Sequence, residues 1–161
     1  MPVDYFLKVD GIPGESSDAK HKGEIEVVGF GFGSSNEAGP PTGGGGGGAG
    51  KAVFDDLVVL APTSKASPLL WLACASGQHL KKAVLACRRT PVKTQAEFLK
   101  VTLTDVTITS YEADAADEER PLDQVALGYG TIELAYTPVD STGKPQPVVK
   151  AGWDVKKNAK V

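Results

Sequence analysis

The chain has 161 residues, and its 17 Lys and Arg against 20 Asp and Glu leave a formal net charge of -3. A chain of this size can bury about 70% of its unfolded surface in one core, so the length predicts a single domain, residues 1–161, that needs neither metal nor disulfide. The small negative charge gives no general attraction to phosphate backbones or anionic lipids, which argues against nucleic acid and membrane as partners.

The amino terminus, Met1 to Phe6, has neither the basic segment nor the apolar segment of a signal peptide. No later run reaches the apolar length that a membrane span needs. The sequence therefore predicts a soluble protein that starts in the cytosol and whose amino terminus is not cleaved on export. A first strand is expected at Tyr5–Asp10, before a turn at Gly11–Gly14.

Three segments alternate apolar and polar residues and then change phase. The phase shifts near Val28 within Glu24–Phe32, at Thr104-Asp105 within Phe98–Tyr111, and at Gly130 within Val125–Tyr136. One extra residue in a strand moves its apolar set to the other face, so each shift indicates a bulge or bend. Long strands that change their buried face suit a closed, coiled barrel. The pattern predicts an all-β fold, a closed β-barrel of long bent strands.

A glycine-rich connection interrupts these strands. Eight of the 19 glycines lie between Gly39 and Gly50, within a loop expected at residues 34–50. Ordering such a loop costs about 1–2 kcal/mol per residue in backbone entropy, so we expect it to become ordered only when a partner covers it. The following segment, Val53–Leu60, is apolar on both parities and is expected to be one strand covered on both faces.

The end of this loop comes close to a phosphate-binding pattern. Gly45 to Lys51 matches G-x-x-x-x-G-K, but Ala52 stands where a magnesium-binding hydroxyl is required. The segment after Lys51 is expected to be a strand, whereas the phosphate site needs a helix amino terminus. The sequence therefore argues against a nucleotide cofactor.

One helix is expected at residues 67–77. Ser67 can cap it, Pro68 suits its first turn, and Gly77 can end it. Its bulky apolar residues point around much of the circumference: Leu69, Leu70, Trp71 and Leu72. A helix of this kind has to be covered on several sides, by its own barrel and by a neighbouring subunit.

Few residues suggest chemistry. Cys74 and Cys87 are interpreted as reduced core residues, and His21 and His79 as exposed loop residues without the ligand spacing of a zinc site. The two tryptophans fall at apolar positions and are interpreted as core. No nucleophile elbow is present, although a triad of His79 with a serine and an aspartate stays open. Assembly or binding is therefore favoured over catalysis, with no metal and no cofactor.

Five motifs in one order resemble the Hcp (haemolysin co-regulated protein) family of type VI secretion tube proteins. They are residues 3–12; Gly14-Glu15-Ser16 with Asp18, Lys20 and His21; Gly43–Gly50 with Lys51; Lys65–Pro68 with Ala73–Gly77; and Gly152-Trp153-Asp154. They span nearly the whole chain. The sequence departs from many members at the second strand, where Phe30 and Phe32 stand in place of tryptophan.

The resemblance implies a β-barrel with one flanking helix that assembles into a homohexameric ring. Such rings stack into a tube inside a contractile sheath, capped by a trimeric spike, and the exported tube holds small effector proteins in its lumen. In this chain it assigns ring stacking to Gly43, Gly44, Gly45, Gly46, Gly47, Gly48, Ala49 and Gly50. The apolar circumference of the helix fits the same assembly and predicts a subunit interface at Leu69, Leu70, Trp71 and Leu72.

The lumen is predicted from strand parity. Phe30 and Phe32 share a face that the burial of two rings makes the core face, so Gly29, Gly31 and Gly33 lie on the opposite face, which could line the channel of a ring. The alternative is that these glycines only permit the bend near Val28. At the level of the whole chain, two other classes stay open: a secreted β-barrel or sandwich binding module acting as a monomer, and a hydrolase or nucleotide-dependent enzyme.

Overall fold

The computed structural model describes residues 3–36, 50–89, 96–116 and 120–161. Twelve strands and one helix occur in these ranges. They are β1 (Val3–Val9), β2 (Ile25–Val27), β3 (Gly29–Gly31), β4 (Ser34–Asn36), β5 (Ala52–Phe54), β6 (Leu57–Pro62), α1 (Ser67–Ser76), β7 (His79–Arg89), β8 (Ala96–Asp114), β9 (Leu122–Gly128), β10 (Thr131–Tyr136), β11 (Val149–Asp154) and β12 (Ala159–Lys160).

Ten strands form one antiparallel sheet, and β4 pairs with β5 in a second sheet. The main path runs β12-β11-β10-β8-β7-β1-β2, and β9, β6 and β3 branch from β8. Strand β8 pairs with β7 and β10 along its first half and with β9 along its second. The predicted all-β class is confirmed. Within the described residues, β1, β7, β8, β9, β6 and β3 pair in this order. In these ranges, strands β3 and β1 do not pair with each other and are joined only through β2 and the bend at Val28, so strand pairing alone does not close the predicted barrel.

The predicted bends near Val28 and at Asp105 are confirmed. Strand β2 pairs with β1, whereas β3 pairs with β6, and between them the Val28 N–H donates to the Leu60 carbonyl at 2.8 Å. Asp105 has a φ of 52° and lies between two paired residues of β8, Thr104 and Val106. The register with β7 is the same on both sides of Asp105, so the strand bends there without an inserted residue. Leu103 and Val106, on either side of Asp105, are both fully buried, so the bend lets one long strand bury both halves.

Two predicted single strands are each two strands. Val125–Tyr136 divides at Gly130, whose N–H donates to the carbonyls of Thr104 and Asp105. A Cβ at Gly130 would lie 2.9 Å from Asp105 Cβ, so this close approach requires glycine. Val53–Leu60 divides at Asp55-Asp56 into β5 and β6. Val53 is 52% exposed, which contradicts the expected cover on both faces, because β5 belongs to the small sheet and not to the core.

The core fills the inside of the curved sheet with aliphatic side chains from eight of the described elements, β1, β2, β6, α1, β7, β8, β9 and β10. Its largest fully buried members are Leu7, Leu57, Leu85, Leu103 and Leu127 together with Val59, Val101, Val106 and Val125. Cys87 is buried and Cys74 packs against the core, and both are free thiols, as predicted. Burial raises the pKa of the Cys87 thiol to about 11, which keeps it protonated and unreactive at neutral pH.

Helix α1 begins differently from the prediction and ends as predicted. Gly77 adopts a left-handed φ of 64°, and backbone N–H groups there bond to the Ala73 and Cys74 carbonyls. At the other end the cap is Ala66, without a side-chain hydrogen bond, and Ser67 is the first helical residue. Its hydroxyl instead bonds to the buried Asp123 carboxylate and accepts the Ser64 N–H. A tertiary contact has therefore replaced the expected local cap.

Candidate functional site

Helix α1 exposes several apolar side chains to solvent along one face. Successive helical residues lie about 100° apart, so the exposed residues form one continuous arc of about 160°. They are Pro68, Leu69, Trp71, Leu72, Ala75 and Ser76. Leu69 is 40% exposed, Trp71 58% and Leu72 52%, whereas Leu70 is buried under the helix. Trp71 is therefore not a core residue, and the arc contains no charged residue. We call this arc the helix face.

A buried polar cluster holds the helix face in place. The Asp123 carboxylate is 2% exposed and accepts hydrogen bonds from the hydroxyls of Ser67 and Thr63. Burial raises the pKa of Tyr111 beside it, and a hydrogen bond to Asp123 raises it further. A buried carboxylate is tolerated when its lone pairs are satisfied, so this cluster fixes the start of α1 against β9.

The glycines of β3 lie on the outside of the sheet. Phe30 is opposite Val59, which is 1% exposed, so the Phe30 side is the core side, as predicted. On the other side, small residues of four adjacent strands lie in a row: Gly31, Val58, Ala126 and Ser110. A Cβ at Gly31 would meet no atom within 4 Å, at Gly29 it would touch Leu60, and at Gly33 it would approach Asp55. The outer surface beside the β3 glycines therefore continues across β6, β9 and β8 without large side chains in this row.

The motif around Gly14 closes a loop onto β2 and β7. The N–H of Gly14 donates to the Gly23 carbonyl at 2.8 Å, and that of Ser16 donates to the Glu24 carbonyl at 3.0 Å. Asp18 accepts two hydrogen bonds from the Arg88 guanidinium, at 2.9 and 2.7 Å, and Arg88 also reaches Asp4 at 3.1 Å. Only 4% of the Arg88 side chain is exposed. The motif therefore places a bidentate ion pair over the end of β7.

His21 is buried, contrary to the prediction of an exposed residue. Its ring stacks on Phe6 with centroids 4.3 Å apart, Nδ1 lies 2.6 Å from Glu24 Oε2, and Nε2 lies 3.0 Å from Glu97 Oε1. The sequence placed it in a polar context, but a loop that folds back on the sheet can bury a polar residue if carboxylates face it. His79 is exposed, as predicted, and lies 3.5 Å from Asp105.

We expect acid to weaken the fold through Asp18. The Arg88 hydrogen bonds hold the pKa of this carboxyl well below its usual range. The folded state then releases the proton more readily than the unfolded chain, so the stabilisation is present above the unfolded value, about 3.9, and is lost as the pH falls below it. Urea midpoints at pH 7, 4 and 3 should fall less steeply for Asp18→Asn than for the wild type. The exposed Asp10→Asn is the control, and equal slopes for all three proteins would contradict this role.

The structure also contains an apolar groove of about 460 Å³ that the sequence did not reveal. Its walls come from the β4–β5 pair and from one face of β10 and β11, and they carry no charged side chain. The main lining residues are Phe32, Phe54, Tyr129, Leu134, Ala151 and Trp153. The signal was scattered over four separate segments, so no local pattern could show it.

The predicted ring-stacking residues are only partly described. Gly43, Gly44, Gly45, Gly46, Gly47, Gly48 and Ala49 lie outside the described residues. Gly50 is half-buried, and its carbonyl accepts a hydrogen bond from Asn36 Nδ2 at 2.8 Å. Strands β4 and β5 thus form a paired stem on either side of this segment.

Neither a metal centre nor a membrane helix is found in the part of the chain that the structure describes. No three His, Cys, Asp or Glu side chains there could hold a metal ion together. No helix in the described ranges is long and apolar enough to cross a membrane.

Comparison with known proteins identifies the family. A family model described as "Type VI secretion system effector, Hcp" matches residues 6–136. The chain belongs to the Hcp family of type VI secretion proteins. The resemblance read from the five motifs is thereby confirmed.

Relatives of this Hcp chain match it over almost its full length. Protein hcp1 of Pseudomonas aeruginosa is 35% identical over 160 residues, which cover 98% of either protein. A solved structure described as a type six secretion system protein is 31% identical, with a TM-score of 0.92 over 99% of this chain and 100% of the other. Hcp1 from Salmonella typhimurium is 29% identical, with a TM-score of 0.78 over the whole of both chains.

Proposed function

We propose that this Hcp chain is the structural subunit of a type VI secretion tube. Six copies form a ring, rings stack into a tube inside the contractile sheath and behind the trimeric spike, and the tube is exported with small effectors in its lumen. The observation that carries the proposal is the helix face, an uncharged apolar surface that an isolated subunit leaves in water. Such a face on a soluble protein marks an interaction site.

Burying the helix face in a subunit contact would contribute favourable free energy to assembly. Burying a leucine-sized side chain completely contributes about 1.5–3 kcal/mol. Because Leu69, Trp71 and Leu72 are each about half exposed, covering them would contribute roughly 3 kcal/mol per contact. A closed ring repeats the contact at every subunit boundary.

The mass of the native protein tests the proposal. We expect native mass spectrometry and light scattering to give six times the 16.8 kDa of one chain. A monomer at micromolar concentration would contradict the proposal and would favour a binding module that acts alone.

Ring stacking is assigned to the glycine-rich segment from Gly43 to Gly50. Support comes from its place in the family motif order and from its position in the chain between the paired strands β4 and β5. Binding of one ring to the next would offset the entropy of ordering so many glycines.

The lumen is assigned to the outer surface beside Gly29, Gly31 and Gly33. We expect Gly31→Gln to form normal rings and to lose co-purified or co-secreted effector, because ring symmetry repeats the added polar group six times. The space at Gly31 and its ordinary φ make the substitution compatible with folding. Gly31→Ala is the matched control and should keep its cargo. Unchanged cargo in Gly31→Gln rings would show that these glycines serve only the bend near Val28.

A further inference from the structure

A ring built from one kind of subunit needs two different surfaces on each copy. Each subunit meets one neighbour with its first surface and the other neighbour with its second, which is a heterologous contact. The helix face can be only one of the two. The structure has to provide a second surface, elsewhere on the chain, of matching chemistry.

The apolar face of β10 and β11 has these properties. Directly opposed residues form three rows along it: Ile132 with Trp153, Leu134 with Ala151, and Tyr136 with Val149. Phe54 of the β4–β5 pair stacks on Trp153 at 6.4 Å and covers the first row. Phe54 does not reach the later rows, so side-chain exposure rises from 7% at Ile132 to 43% at Tyr136 and 64% at Val149. The groove of about 460 Å³ therefore opens onto uncovered apolar sheet.

The two surfaces are both uncharged, and their shapes are complementary. The helix face contains no charged residue, and neither does the lining of the groove. The chain otherwise carries 37 charged side chains among 161 residues, so two apolar surfaces without any are distinctive. A convex helix that carries Trp71 and Leu72 suits a concave apolar groove, which is a common mode of helix recognition.

We infer that the helix face of one subunit docks into the β10–β11 groove of a second copy of this chain. The inference rests on the proposed function, since it names the two halves of the ring interface. The contact uses a different surface on each of the two copies, so it can pass from copy to copy until the ring closes.

Cross-linking across the contact tests the inference. Leu72→Cys and Ala151→Cys are combined in one chain, with Cys74→Ala and Cys87→Ala removing the native thiols. We expect a short bismaleimide reagent to convert these rings into a covalent ladder up to six chains. The control pair, Leu72→Cys with Val28→Cys at a position that is 57% exposed, should give no ladder, and neither should either cysteine alone.

Charge complementation gives a second, independent measurement. Leu72→Lys alone and Ala151→Glu alone should each shift the protein from rings to monomers, and the double variant should recover most of the ring fraction, because the lysine then meets the glutamate of the neighbour. Wild-type rings without a ladder and without recovery would overturn the docking and leave the proposed function standing. A monomeric wild type would overturn both. If the Leu72→Cys and Val28→Cys pair gave the ladder instead, the surface around Val28, and not the β10–β11 groove, would contact the helix face of the neighbouring subunit.

Discussion

Replacing Leu72 with glutamate is expected to convert the ring into folded monomers. The side chain is 52% exposed in the single subunit, so glutamate there meets water and leaves α1 and the core unchanged. In the ring the same carboxylate would be buried against an uncharged surface with no cation to pair it, which costs several kcal/mol per contact. Every subunit boundary carries this penalty, so native mass spectrometry should show single chains of 16.8 kDa.

The control for this variant is the same change at another exposed apolar residue. Val139 is 40% exposed in the connection after β10, outside both surfaces assigned to the ring, and Val139→Glu should remain hexameric. Circular dichroism should show the same strand content in both variants. The melting temperature is a poorer comparison, because assembly itself stabilises the native subunit. Hexamers of Leu72→Glu would show that the helix face is not part of the ring boundary.

Replacing Gly14 with alanine is expected to give the largest loss of subunit stability. A Cβ at this position would lie 2.4 Å from the Glu24 carbonyl oxygen and 2.6 Å from the Ile25 nitrogen, both backbone atoms. The loop cannot move away without breaking its hydrogen bonds to Gly23 and Glu24. Overpacking against backbone of this kind costs about 3 kcal/mol, which lowers the melting temperature of a domain of this size by roughly 10 °C.

Gly31→Ala is the matched control for this loss. An added Cβ there meets no atom within 4 Å and the backbone is not left-handed, so alanine should leave stability unchanged or raise it by about 0.5 kcal/mol. Both variants should be compared by urea denaturation at one protein concentration, because the ring contributes to apparent stability. Equal midpoints for the two would mean that the loop adapts and that Gly14 is not required by packing.

Local patterns in the chain were sufficient for the fold class and for much of its detail. The change of apolar phase predicted the bends near Val28 and at Asp105, because strand faces alternate with a period of two and a change of phase requires a local departure from regular strand geometry. The position of α1 and its glycine end followed from propensity and capping. The motif order identified the family, although it could not say what the motif residues do.

Only the tertiary structure decided which residues meet across the chain. His21 is buried because the carboxylates of Glu24 and Glu97 reach its ring from two parts of the chain. Ser67 does not cap α1, because its hydroxyl bonds to Asp123, 56 positions later in the sequence. The groove joins residues of four segments that are separate in sequence. Sequence periodicity records which way one strand or helix faces, whereas long-range contacts depend on how several elements pack together. Those contacts therefore had to be seen in the fold.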